Sequence, residues 1–135
     1  MKGVISLRKK AGEDEELLST LLDLETMAYL WRYYGDKIRG AAELAVFRQN
    51  STKKQAHEKS IKFFSDAIAE WETYAELATS QYKTQLFSRT HYMDWWKILD
   101  DVKKEYQTVK NEIPSEENRL KAIPKVREIL LKPSI

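Results

Sequence analysis

The sequence predicts an all-α fold: an up-and-down antiparallel helical bundle of three long helices with a short helical extension at the C-terminus. Three observations carry that expectation. Apolar residues recur three and four positions apart over long stretches. Only 4 Gly and 3 Pro occur among 135 residues. Charged residues make up 33% of the chain, a composition of helices rather than of strands and turns. The length fits a single domain, residues 1–135, large enough to bury its own core. The bundle is expected over about 14–111 and the extension over 114–135.

The first helix is expected from about residue 14 to 48. Its proposed core seam is Leu17, Leu21, Leu24, Ala28, Trp31, Gly35, Ile38, Ala42 and Ala45, a heptad spacing sustained over many turns. Met27, Leu30, Tyr34, Ala41 and Leu44 widen it into a stripe able to meet two neighbours. Glu13–Glu16 at its start and Arg48 at its end suit the helix dipole. Gly35, Gly40, Ala41, Ala42 and Ala45 remove bulk where another helix is expected to cross.

Asn50-Ser51-Thr52 reads as a turn that caps a second helix, over about 52–80. Its seam is Ile61, Phe64, Ile68, Trp71, Ala75, Ala78 and Tyr82, with Phe63, Ala67, Tyr74 and Leu77 alongside. From Ser80 to Tyr92 the period lapses, but Tyr82, Leu86, Phe87 and Tyr92 make this an ordered connection rather than a linker. Asp94 then offers an N-cap for a third helix to about residue 111, with the seam Trp95, Leu99, Val102, Tyr106, Val109 and Ile113. After Pro114 the positions Leu120, Ile123, Val126 and Leu130 suggest short helical pieces, broken before Pro124.

Function is constrained chiefly by exclusion. Without cysteine there are no disulfides, thiol nucleophiles or iron–sulfur ligands. A net charge of +2, with the excess after residue 100, gives no polyanion footprint, so no nucleic-acid partner is expected. No apolar run approaches the ~20 residues that span a bilayer, and no signal-peptide core follows the charged start, so no membrane partner is expected.

A di-iron bundle needs Glu-x-x-His, whereas Lys54 and Ser88 stand three before His57 and His91. Both histidines therefore read as solvated, and neither metal nor cofactor is expected. Nucleophile elbows and phosphate-cradling glycine turns are missing. Glu72 with Glu76, and Asp100 with Asp101, have the spacing of solvated helix carboxylates rather than of a cleft pair. The chain by itself is not expected to be an enzyme.

The aromatic residues point to contacts instead. Trp31, Trp71 and Trp95 occupy seam positions and are expected in the core. Trp96 lies about 100° round the helix from Trp95 and cannot share its seam. It heads the candidate interface residues, with Tyr29 and Tyr33 on the same argument. Arg39, one residue past a seam position, and Arg89, within the aromatic connection, complete that set as candidates for pairing with acidic partners.

The strings Asp23-Leu24-Glu25-Thr26-Met27-Ala28-Tyr29-Leu30 and Tyr33-Tyr34, with Lys37-Ile38-Arg39-Gly40-Ala41, carry a resemblance. So do Trp71-x-x-Tyr74-Ala75, Tyr82-Lys83, Phe87-x-Arg89-Thr90-x-Tyr92 and Asp94-Trp95. Over roughly residues 17–110 the chain resembles the C-terminal helical region of large secreted glycoside hydrolase-like proteins of gut bacteria, some of them α-glucuronidase-like. The resemblance implies a non-catalytic accessory domain that packs against an upstream catalytic domain or mediates contact between subunits. It also implies that Met1 is not a native start and that the location is periplasmic or extracellular. It carries no catalytic residue onto this chain. The alternatives are a stand-alone protein-interaction module acting through the Trp96 side, and direct carbohydrate binding by exposed aromatics.

Overall fold

The computed structural model describes residues 2–83, 85–87 and 91–113. In order they form α1 (Lys2–Ala11), α2 (Glu15–Gln49), α3 (Lys54–Gln81), β1 (Gln85–Phe87), β2 (His91–Met93) and α4 (Trp95–Lys110). The all-α bundle is present. α2 and α3 pack along each other most extensively, α4 lies against α3, and α1 covers part of α2.

Local chemistry accounts for the boundaries. Asp14 caps α2 by accepting the Leu17 amide at 3.0 Å, and Glu15 and Glu16 occupy the positive end of the dipole. Asn50 builds the following turn, accepting from both the amide and the hydroxyl of Thr52. α3 itself starts from Lys53 without a side-chain cap, so the turn forms as expected but its capping role does not. Asp94 caps α4 as expected, accepting the amides of Trp96 and Lys97.

α1 was not anticipated. It ends at Gly12, whose φ of 59° lets the chain reverse where a side chain would be strained. Arg8 then pairs with Glu25 at 2.7 Å and Ala11 is buried. Within the connection after α3, β1 and β2 pair antiparallel, with Leu86 opposite Tyr92. The expected extension at 114–135 and Arg89 both lie outside the described residues.

The main core joins Tyr33, Ala67, Trp71, Ala75, Trp95, Leu99 and Val102, and a second cluster unites Leu44, Phe47, Ala56, Phe64 and Val109. Trp71 and Trp95 are therefore core, as their spacing predicts. At the crossing of α2 and α3, a Cβ on Gly40 would stand 2.8 Å from the Phe64 ring, while the Ser60 hydroxyl donates to the Gly40 carbonyl at 2.8 Å. The close approach expected at Gly40 is real. None is found at Gly35, where a Cβ would meet nothing within 4 Å.

The expected α2 seam needs the largest correction. Of its members only Leu21 is buried; Leu17, Leu24, Trp31 and Ile38 face outward. The face meeting α3 carries Tyr33, Gly40, Leu44 and Phe47 instead, with Thr26 buried in line with them. Helix α2 has two apolar sides, and the inner one prevails because Tyr33 meets Trp71 edge to face at 4.8 Å and Gly40 admits Phe64. Two further seam positions also lie on the surface, Tyr82 on the α3 side and Ile113 beyond α4.

Candidate functional site

The corrected register leaves a site behind it. On α2 the side chains of Leu17, Leu24, Met27, Trp31, Tyr34 and Ile38 are all exposed, Trp31 by 68% and Ile38 by 70%. At 3.6 residues per turn they fall on one side, opposite the residues that meet α3. From Leu17 to Ile38 the stripe runs about 32 Å. An apolar strip of that length and one helix face wide is at the size where exposed patches mark contact surfaces. Scattered apolar residues would need no such reading.

At the middle of α2 lies a shallow hollow of about 380 Å³, lined by Trp31, Arg32, Gly35, Asp36 and Arg39. Gly35 leaves it open, because the nearest atoms are beyond reach of a Cβ. Arg32 is drawn to the α3 side by Glu70 at 2.5 Å, and Asp36 holds Arg39 only loosely at 3.7 Å. Arg39 therefore keeps donors available at the rim. Glu70 is buried with its Oε2 unpartnered, and burial pushes its pKa upward against the lowering pull of Arg32.

Charge is segregated along α2. The first third and its entry are acidic, with Glu13, Asp14, Glu15, Glu16, Asp23 and Glu25. Past the midpoint Arg32, Lys37, Arg39 and Arg48 outnumber Asp36 and Glu43. Lys37 reaches Glu105 and Arg48 grips Glu112, both on the α4 side. Burial works against the charge on Lys37, but its bond to Glu105 and the nearby phenolic oxygen of Tyr33 outweigh that and raise its pKa.

The expected interface residues do not gather into one place. Trp96 is 46% exposed on the first turn of α4, consistent with its predicted position off the seam. Tyr33 is corrected to core, only 6% exposed, since it closes the α2–α3 contact against Trp71. Tyr29 is half-buried beneath the Arg32 guanidinium, 5.6 Å from its ring centre. Arg39 is exposed at the hollow. Conversely Trp31, expected in the core, is the most prominent apolar feature of the outer face. The signal for that face was the heptad spacing itself, which marks a helix-contacting stripe without saying which helix it contacts.

Other expectations resolve more simply. His57 is not solvated: its Nε2 donates to the Val109 carbonyl at 2.8 Å and its ring stacks on Phe47 at 4.3 Å. Glu72 pairs with Lys103 and Asp101 with Lys104 on exposed surface. Among the described residues, no group of three or more His, Cys, Asp or Glu is placed to share a metal ion. No helix among them is long and apolar enough to cross a membrane. Compared with protein-family models, curated proteins and solved structures, the chain has no match.

Proposed function

We propose that this chain is a non-catalytic helical accessory domain that works by docking, with the outer stripe of α2 as its contact face. Its setting is a carbohydrate-active, glycoside hydrolase-like protein, in which it packs against the catalytic domain or joins subunits. The observation that supports docking is the line of six large exposed apolar side chains from Leu17 to Ile38. Covering them releases hydration at roughly 25 cal/mol per Å² of apolar surface. An exposed Trp at the centre of such a face is the residue type that most often anchors an interface. The carbohydrate setting is supported by the string resemblance over residues 17–110. Probing a lysate of the source organism with an antibody against this domain tests it. A band much larger than 15.9 kDa is expected; a band at that mass replaces the accessory role with a stand-alone interaction module.

A second reading is direct carbohydrate binding. Trp31 beside the polar hollow of Arg32, Asp36 and Arg39 favours it, since a flat ring next to hydrogen-bonding groups suits a sugar face. Trp fluorescence under titration with glucuronoxylan, cellulose or pectin fragments tests it. An unchanged spectrum removes it for those ligands.

A further inference from the structure

We propose that the outer face of α2 takes a second copy of this chain, packed antiparallel about a two-fold axis at the middle of the helix, with Trp31 of each copy seated over Gly35 of the other. The inference rests on the docking reading above and names its occupant.

Three observations converge on it. The knob and the hollow are neighbours: Trp31 stands 68% exposed and one turn later Gly35 floors an open hollow. Both lie at the midpoint of a helix spanning Glu15–Gln49. A two-fold axis there brings each knob to the other copy's hollow, the self-complementarity that an isologous contact demands. Among the described residues nothing requires a glycine at 35, although a mid-helix glycine costs about 1 kcal/mol relative to alanine. A second copy supplies the reason.

The same register sorts the rest of the stripe by size. Leu24 meets Ala42 and Ala28 meets Ile38, with Met27 and Ala41 beside the seam. Large residues face small ones, which allows the close approach that antiparallel helices need.

Charge selects the direction. In the antiparallel pair Glu13 of one copy lies beside Lys53 of the other. A parallel pair would set the acidic ends against each other and Arg39 against Arg39, which is unfavourable. Helix α1 does not obstruct the contact, since Leu17 and Leu24 remain exposed with α1 in place.

The chain has no cysteine, so introduced thiols report contacts cleanly. Sedimentation of the full chain from micromolar to millimolar concentration should show a monomer–dimer equilibrium. When Leu24→Cys and Ala42→Cys proteins are mixed under mild oxidation, the heterodisulfide should dominate. Gly35→Leu fills the hollow at an exposed helical site, so helicity should persist while dimerisation weakens by about tenfold or more. Homodisulfides in place of the heterodisulfide, or a dimer indifferent to Gly35→Leu, would overturn the proposal. So would a monomer at all concentrations. In that last case the thiol reactivity of Ile38→Cys separates the two levels. Fast labelling leaves the docking reading standing without the second copy. Slow labelling means that the stripe is already covered within the monomer, and both fall.

Discussion

The Trp71 indole Nε1 donates to the backbone carbonyl of Trp95 at 2.9 Å, tying the middle of α3 to the first residue of α4. Trp71 also packs edge to face on Tyr33 and Tyr74, so a single side chain joins α2, α3 and α4. Truncation to alanine empties that junction and should cost about 3–5 kcal/mol. Trp71→Phe keeps much of the packing but leaves the Trp95 carbonyl without its donor, and should cost about 1–3 kcal/mol. Urea unfolding of both variants checks the order; a wild-type midpoint for Trp71→Ala would refute the assignment.

Two glycines one and a half turns apart should respond oppositely to alanine. At Gly40 a Cβ meets the buried Phe64 ring at 2.8 Å, so the ring must move within a packed crossing. Overpacking of about 1–3 kcal/mol then exceeds the gain in helix propensity, and Gly40→Ala should destabilise. At Gly35 the added methyl meets nothing, so Gly35→Ala should stabilise the monomer by up to about 1 kcal/mol. Thermal melts at low protein concentration, where association does not contribute, compare the two directly.

That pair also marks how far the sequence could be read. Helical period, the Asp94 cap, the Asn50 turn and the core places of Trp71, Trp95, Leu99 and Val102 were all legible, because each is set by neighbours within a few residues. The buried face of α2 was not. Its outer side repeats apolar residues at Leu17, Leu24, Trp31 and Ile38 with greater regularity than its inner side, where Thr26 and Gly40 interrupt the pattern. Thr26 tolerates burial by donating to the Leu22 carbonyl at 2.8 Å, and Gly40 is there to admit a ring from α3. Both facts depend on partners distant in sequence or on hydrogen bonds that hydropathy does not count. The outer face thus has the more regular hydropathy period, while the inner face makes the contact with α3.

Glu70 predicts a pH effect. Burial raises its folded pKa above the ordinary glutamate value, Arg32 opposing and Asp36 and Asp66 adding to the rise. The native state therefore holds this proton more tightly than the unfolded chain. Its contribution to stability falls as pH rises from the ordinary glutamate range through the raised value. Glu70→Gln removes the burial of charge and should raise Tm at neutral pH, with the gain shrinking as the pH drops below the ordinary glutamate pKa. A loss at neutral pH would show that the ion pair with Arg32 outweighs desolvation, and a gain that does not change with pH would show that the titration of Glu70 is not its source.

Arg48 and Glu112 form a two-point contact, Nε to Oε1 at 2.5 Å and Nη2 to Oε2 at 2.6 Å, that closes α2 against the end of α4. The Glu112 side chain is only 8% exposed, so its removal strands a guanidinium beside covered surface. Glu112→Ala should cost about 1–3 kcal/mol. The loss should exceed that of Lys104→Ala, whose pair with Asp101 is solvent-exposed and worth little. Denaturant titration of the two variants gives the comparison, and equal effects would argue against a structural role for the pair.

Substitutions on the two sides of α2 separate stability from contact. Leu24→Lys and Ile38→Lys replace side chains that are 57% and 70% exposed and that take no part in the buried clusters. Each should change monomer stability by no more than about 0.5 kcal/mol, as surface substitutions do. Leu44→Ala, on the opposite side and within the cluster around Phe47 and Phe64, should cost about 2–5 kcal/mol. If the outer substitutions proved as damaging as the inner one, the exposed stripe would be buried within the folded chain itself. If they are neutral, the retention of Leu, Trp and Ile where Lys serves equally well is explained by what the stripe contacts outside the chain, and not by the fold.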